Sequence, residues 1–402
     1  MSDNSVNVDL SPKKTIRILL PILFTVPLGG IGVDLYAASM PSLANDLSVS
    51  QSQIKLTLTL FLIGLFFGML LCGFLSDIFG RKKTQVINSI IFSLSSFLIV
   101  HTHDFSILLL LRFMQGVSAG GLQSVSRSII SDAFNKKEIT KYSLYVTSAW
   151  GIGPIIAPWL GGSLMYYFDW HACFYFLFFY GVFIYLLSAF LLPETNCSSL
   201  VFNSKEIRKS CIEIFSSKHF FLPVIIMGLS YLTLVCFGIL GPYFFVETLN
   251  LSPLTYGNIG LIIGFGYLLG NFSCKFLLNK TDEYIIVKLM IFLSTLCGFF
   301  FLLICLLLPG KISILPICIF VSCFFVGFIY PLYMARTIKA FSHIAGISSG
   351  ILISSVLLTV SAGSLILSFV VIKSIFYFVL VYFLLSLLIL MAWFFDNRIR
   401  YK

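Results

Sequence analysis

The chain has 402 residues, of which 58% are hydrophobic and only 10% are charged. Soluble globular proteins carry about 25% charged residues, so this composition excludes a water-soluble protein. The 26 Lys and Arg residues exceed the 16 Asp and Glu residues and give a net charge of +10, but the bases occur in small scattered groups. A nucleic-acid partner is therefore not expected.

Long stretches without a charged residue or a histidine recur along the chain. Eleven are uninterrupted: 18–33, 56–76, 84–100, 142–168, 172–193, 220–246, 248–274, 289–310, 312–335, 344–372 and 374–395. A twelfth, from about 105 to 126, is interrupted only by Arg112. Because a helix that crosses a bilayer needs about 20 mostly apolar residues, the pattern predicts an all-α integral membrane protein with twelve transmembrane helices.

The basic residues predict the orientation of these helices. If the N-terminus is cytoplasmic, 22 of the 26 Lys and Arg residues fall in cytoplasmic segments. The positive-inside rule then places both termini in the cytoplasm of a multi-pass protein. The same bases are expected to contact anionic lipid headgroups.

The longest polar stretch, 194–219, divides the chain into 1–193 and 220–402. We interpret these ranges as two six-helix bundles joined by a cytoplasmic linker, which forms either a short amphipathic helix or an irregular segment. Two bundles in one chain favour a transporter, because paired repeats can rock around a central site and expose it to each side in turn.

Two charged residues lie well inside the predicted spans, Asp34 and Arg112. Charges inside a bilayer are costly and are functional hypotheses by default. We expect Asp34 to exchange a proton for substrate, with Arg112 modulating that exchange. Two alternatives remain open: a permanent ion pair between the two residues, or an Asp34 side chain that reaches the outer surface from the end of its span.

Other polar and aromatic groups could line an amphiphilic pocket. The expected substrate-binding residues are Tyr36, Gln115, Tyr231 and Tyr330, which offer ring faces and hydrogen bonds. No metal is expected, because the run from His101 to Asp104 lacks a third ligand. No cofactor motif, nucleophile elbow or phosphate-binding loop appears, so the sequence does not indicate an enzyme.

The segment 73–83, GFLSDIFGRKK, resembles the signature loop between helices two and three of the major facilitator superfamily. The resemblance implies a gate on the cytoplasmic side formed by Gly73, Asp77, Gly80, Arg81 and Lys82. In this motif the aspartate sits against a basic partner or a helix N-terminus, and the glycines allow close packing and a tight turn.

Three further segments carry the same resemblance. Residues 112–116, RFMQG, are similar to the helix-four motif whose arginine is implicated in proton coupling. Residues 153–162 resemble the helix-five antiporter motif, in which glycines and prolines shape a bend that discourages leak: here Gly153, Pro154, Pro158, Gly161 and Gly162. Residues 34–41 resemble the first helix of the Bcr/CflA, or bicyclomycin-resistance, group. The loop between helices eight and nine lacks the pattern of residues 73–83.

The resemblance implies a drug:proton antiporter of the bacterial cytoplasmic (inner) membrane, and we expect it to be a monomer. Its partners would be protons and a small amphiphilic substrate. Two alternatives keep the same fold: a nutrient symporter, or an exporter of one metabolite such as a siderophore. An alternative of another class is a transport-inactive membrane receptor.

Overall fold

The computed structural model describes residues 12–196, 211–308, 310–341 and 345–400. Helices and short connections make up these ranges. Eleven helices within them are long and apolar enough to cross a membrane by length and composition. The prediction of an all-helical membrane protein is thereby confirmed.

Residues 12–196, the first part of the chain, form six helical segments. Their bounds are α1, Pro12–Asp46; α2, Gln51–Phe79; α3, Arg81–Val100; α4, Phe105–Ala133; α5, Lys136–Tyr167; and α6, Trp170–Phe190. Segment α1 is broken into Pro12–Thr25, Leu28–Asp34, a 3-10 turn at Ala37–Ser39, and Met40–Asp46.

Residues 211–400, the second part, form another six. Their bounds are α7, Lys218–Pro242, continued by a π-helical turn at Tyr243–Thr248; α8, Pro253–Leu278; α9, Glu283–Leu307; α10, Ile314–Ala340; α11, Ala345–Ser368; and α12, Ile375–Arg400. Residues 197–210 of the predicted linker lie outside the described ranges, while residues 211–216 are helical.

Side chains at the connections fix where helices begin. Asp104 accepts hydrogen bonds from the backbone N–H groups of Ser106 at 2.7 Å and Ile107 at 3.2 Å, and so caps α4. Ser50 and Gln53 form a capping box at the start of α2. Such caps satisfy backbone donors that a helix N-terminus leaves free.

Segment α1 is longer than predicted. The apolar stretch ends at Asp34, but the helical path continues to Asp46, so Asp34 lies inside the segment rather than near its end. Pro27 stands at the first break, where a proline cannot donate the next backbone hydrogen bond. The second break, at Leu35 and Tyr36, directly follows Asp34.

Of the twelve predicted spans, α5 is the one that is not among the eleven apolar helices. It is helical over 32 residues, but it contains two interior prolines and several glycines in place of large apolar side chains. Those small residues bring α5 against α1 on one side and α8 on the other.

The helices pack in a way that defines two ends of the molecule. Ile18 and Ile22 of α1 pack with Ile129 and Ile130 of α4, so the start of α1 and the end of α4 share one end, here called the terminal face. The end of α1 and the start of α4 lie at the opposite face. Contacts between the two parts of the chain include α5 with α8 and α2 with α11.

Candidate functional site

A central cavity of about 350 Å³ lies between the two parts of the chain. Residues of both parts line it, including Val146 of α5 and Ile338 of α10, which lie toward the terminal-face ends of their helices. Tyr231 and Tyr330, both predicted to bind substrate, are on its wall with ring centroids 6.3 Å apart. Tyr267, which the sequence did not single out, completes the aromatic lining.

Three polar side chains also line the central cavity: Gln123 and Arg127 of α4 and Asn271 of α8. The Arg127 side chain is accessible despite its interior position, because it faces this open space. In the sequence, Arg127 appeared as one of many bases near helix ends. Gln123 and Arg127 are four residues apart and therefore lie on one face of α4. This spacing is the sequence feature that could have indicated Arg127 as a cavity residue.

Asp34 lines a second cavity of about 40 Å³, bounded by Pro154 and by residues of α7 and α8. Tyr231 and Tyr267 line both cavities and therefore stand between Asp34 and the central space. A Cβ built on Gly238 would lie 3.3 Å from Asp34 Oδ1, so α7 approaches the carboxylate closely. Among the described residues, no ion pair to Asp34 occurs.

Arg112 is completely buried, and its partners are neutral. Its guanidinium donates to Gln115 Oε1 at 2.5 Å and to the Gly32 carbonyl at 3.1 Å. It also lies over the rings of Tyr36, at 4.4 Å from the centroid, and Phe61, at 4.6 Å. Ring faces attract a desolvated cation, which explains how the charge is held without a carboxylate. The expected alternative of a permanent Asp34–Arg112 ion pair does not match this arrangement.

Tyr36 and Gln115 lie away from both cavities. The Tyr36 hydroxyl hydrogen-bonds Thr57 Oγ1, and Gln115 Nε2 donates to Ser96 Oγ at 2.7 Å. Both side chains are buried in the packing around Arg112. The expectation that they touch substrate finds no support in this placement, because depth along a helix does not fix which side of the helix a residue occupies.

At the terminal face, four charged residues form a group that we call the Arg81 cluster: Asp77, Arg81, Asp132 and Glu194. Arg81 bonds to Asp77 Oδ1 at 2.5 Å and to Asp132 Oδ2 at 2.8 Å. Its backbone N–H donates to Glu194 Oε1 at 2.9 Å. The cluster joins α2, α3, α4 and the segment after α6. The predicted basic partner of Asp77 is thus present, but it belongs to the same part of the chain.

Glu194 caps the start of α3. Besides Arg81, the backbone N–H of Lys82 donates to its carboxylate at 3.2 Å. Gly80, between α2 and α3, has φ +95°, a conformation that favours glycine, and a Cβ there would lie 2.6 Å from Glu194 Oε2. A Cβ on Gly73 would lie 3.0 Å from Ser124 Oγ, which fits the expected close packing. The roles of Asp132 and Glu194 were missed, because neither is near Arg81 in the sequence.

The five residues of the predicted antiporter motif lie where α5 approaches its neighbours. A Cβ on Gly161 would lie 1.9 Å from the Leu35 carbonyl oxygen of α1, and one on Gly153 would lie 2.9 Å from that of Pro27. On the other side, a Cβ on Gly162 would lie 2.4 Å from the Pro253 carbonyl oxygen of α8. Pro154 and Pro158 line the Asp34 cavity. The motif therefore allows backbone-to-backbone contact beside Asp34.

At the opposite face, side chains of the first part of the chain bond to the second part. Buried Lys55 donates to the Val370 carbonyl at 2.9 Å and lies 5.3 Å from the Tyr243 ring centroid. Thr59 and Ser364 share a hydrogen bond of 2.9 Å. In the sequence, Lys55 is one of the four bases outside the predicted cytoplasmic segments, so its contact with Val370, just after α11, was missed.

A family model and several known proteins match this chain. Residues 22–356 match the family model described as Major Facilitator Superfamily. The chain is similar to the multidrug resistance protein MdtL of Shewanella sp. (strain ANA-3), with 28% identity over 337 residues that make up 84% of each chain. MdtL of Salmonella typhi is 30% identical over 240 residues, 60% of this chain and 61% of that protein. A crystal structure of a D-xylose-proton symporter matches with a TM-score of 0.77 at 15% identity, covering 95% of this chain and 97% of that chain.

Proposed function

The chain belongs to the Major Facilitator Superfamily, and we propose that it exports small amphiphilic compounds, including drugs, in exchange for protons. It is a multi-pass membrane transporter of small molecules and not an enzyme. Support for drug export comes from the similarity to the MdtL proteins of two bacteria. Support for placement in the Bcr/CflA group comes from the Asp34, Tyr36 and Pro41 pattern of α1.

The topology proposed with this function has twelve crossings of the bacterial inner membrane, including α5, and both termini in the cytoplasm. Two six-helix bundles, 1–193 and 220–402, would move about the central cavity, and the chain would act as a monomer. The distribution of Lys and Arg supports the orientation. With that orientation, the terminal face is cytoplasmic and the central cavity lies toward the cytoplasm, the side from which an exporter loads.

Asp34 is the proposed proton site, and its position is the observation that carries the proposal. Its carboxylate faces a cavity formed by helices of both parts of the chain, and no described cation neutralises it. Burial disfavours the charged form of a carboxyl group, so a change in the packing around Asp34 would bind or release a proton. Such a change accompanies any movement of α7 or α8 against α1.

Arg112 is the proposed modulator of that proton site. It holds the Gly32 carbonyl, two residues before Asp34, and so fixes the helical turn from which the Asp34 side chain extends. Because Tyr231 and Tyr267 stand between the two cavities, we place the proton and the substrate at separate sites that share these two walls. Proton and substrate would then be coupled through helix movement.

Replacing Asp34 tests the proposed exchange. We expect D34N to lose pH-gradient-driven export, because an amide of similar shape cannot carry a proton through the cycle. The measurement is substrate-induced proton release from energised inside-out membrane vesicles. Asp104→Asn is the matched control: it makes the same chemical change at a helix cap, where asparagine is equally suitable, and it should retain export.

The outcome also separates the alternatives. Full gradient-driven export by D34N, with normal amounts of protein in the membrane, would contradict the assignment of Asp34. A symporter would acidify the interior of inside-out vesicles when substrate is added outside, whereas an exporter that exchanges protons would make it more alkaline. A receptor without transport activity would bind ligand and move none in either direction.

A further inference from the structure

The charge in the central cavity is unlike that of the Asp34 cavity. Among the described residues that line the central space, Arg127 is the one that carries a charge, and it is positive. Asp34 lines only the smaller cavity. A ligand in the central space would therefore meet a guanidinium rather than a carboxylate.

Arg127 has no described hydrogen-bond or ion-pair partner, although acidic residues are present at the same end of the molecule. Two of them, Asp77 and Asp132, bind Arg81, and Glu194 caps α3. Glu138 hydrogen-bonds the backbone N–H of Asn135 at 3.2 Å. A guanidinium that protrudes into a cavity while the nearby carboxylates are engaged elsewhere can accept an anionic ligand as its partner.

The rest of the cavity wall determines what that anion must carry. Aromatic rings of Tyr231, Tyr267 and Tyr330 and the flexible side chains of Met69 and Met334 form an apolar surface. Thioether side chains adapt to varied shapes, and aromatic rings stack on planar ligands. The volume of about 350 Å³ suits a drug-sized molecule and is small for a phospholipid with two acyl chains.

We propose that the central cavity binds amphiphilic organic anions, with a carboxylate or sulfonate at Arg127 and an aromatic or apolar body against Tyr231, Tyr267 and Tyr330. This proposal deepens the proposed export function by naming its substrate class, and it rests on that function for treating the central cavity as the substrate site. Asn271 offers amide N–H groups to the same anion, and Gln123 Nε2, which donates to the Val26 carbonyl at 3.5 Å, has a second N–H to offer.

Equilibrium binding tests this proposal apart from transport. The full-length protein in phosphatidylcholine nanodiscs is titrated calorimetrically with two probes of the same ring size, 2-naphthoate and 2-naphthylmethylammonium. We expect naphthoate to bind at least tenfold more tightly than the cation. R127Q should weaken naphthoate binding about tenfold or more, since a charge-assisted hydrogen bond is lost, and should leave the cation unaffected or bound more tightly.

Two further variants keep the result decisive. Arg17→Gln removes the same charge from an exposed position at the start of α1 and should change neither affinity. Arg127→Lys keeps the charge and should retain part of the naphthoate binding. If R127Q binds neither naphthoate nor the naphthyl cation, Arg127→Lys decides the question. Naphthoate binding by Arg127→Lys supports the proposal, and no naphthoate binding by this variant overturns it.

Other results would overturn the proposal directly. One is equal naphthoate affinity in wild type and R127Q, and another is tighter binding of the cation by the wild type. A third is naphthoate binding that phosphatidylglycerol in the nanodisc abolishes in the wild type, which would identify a lipid headgroup as the occupant. Because D34N is tested by flux and Arg127 by equilibrium binding alone, failure of the anion proposal can be distinguished from failure of the export proposal.

Discussion

The two ends of the molecule use different interactions. At the opposite face, Lys55 and Thr59 of α2 hydrogen-bond to the second part of the chain, each at 2.9 Å. At the terminal face, the Arg81 cluster contains two ion pairs, yet all its members lie between residues 77 and 194. At the opposite face, hydrogen bonds connect the two parts of the chain. At the terminal face, the ion pairs connect helices of the first part only.

This difference bears on how the protein could change conformation. A hydrogen bond contributes about 1 kcal/mol net, so a few of them close the opposite face without making its opening prohibitive. The ion pairs of the Arg81 cluster do not have to break when the two parts separate at the terminal face. This arrangement fits the proposal that the first part of the chain moves as a unit about the central cavity.

The largest expected effect comes from the tightest contact near the opposite face. Gly161→Ala would place a Cβ 1.9 Å from the Leu35 carbonyl oxygen, so α1 and α5 would have to separate. We expect a loss of about 2 kcal/mol or more in unfolding free energy, despite the better helix propensity of alanine, and a loss of transport. The measurements are thermal unfolding in detergent and vesicle transport.

Gly151→Ala in the same helix is the matched control. A Cβ there meets only Leu268 Cδ2, at 3.9 Å, so this variant should be neutral or slightly more stable. Equal behaviour of the two variants would contradict the close contact of α5 with α1 at Gly161, since Gly151 lies near the middle of α5.

A smaller effect is expected at Lys55, which closes the opposite face. K55M keeps the apolar stem but removes the donor to the Val370 carbonyl, so the opposite face should open about tenfold more often. Hydrogen–deuterium exchange of the segment 365–374 should then become faster.

Lys311→Met serves as control for this prediction. Lys311 is exposed at the same face, and its substitution removes the same charge without breaking the bond to Val370. Unchanged exchange in K55M, or an equal increase in both variants, would contradict the closing role of Lys55.

Much of the fold could be predicted from the sequence, because a lipid environment demands long apolar helices. In the described part of the chain, the apolar stretches located the twelve long helices, of which α5 is less apolar than the other eleven. Asp34 and Arg112 stood out for the same reason, since isolated charges are rare in such stretches. The lack of an ion pair between them could not be predicted, because depth in the membrane does not determine the direction in which a side chain points.

The parts of the site that the sequence missed depend on contacts between distant residues. Glu194 lies 113 positions from Arg81, and Lys55 lies 315 positions from Val370. In the sequence, Arg127 resembles the other bases near helix ends, which are expected to contact lipid headgroups. Only packing shows that its side chain lines the central cavity.

The smallest effect is expected within the Arg81 cluster and concerns the first part of the chain alone. Glu194→Gln removes a negative charge from the N-terminus of α3, where it accepts from two backbone N–H groups. We expect a loss of about 1 kcal/mol in unfolding free energy. Lys82→Gln should be neutral by the same thermal assay, because the backbone of Lys82, not its side chain, donates to Glu194. Neither variant should change exchange in the segment 365–374. Faster exchange there in Glu194→Gln would mean that the cluster also holds the two parts of the chain together, and the contrast between the two faces would no longer stand.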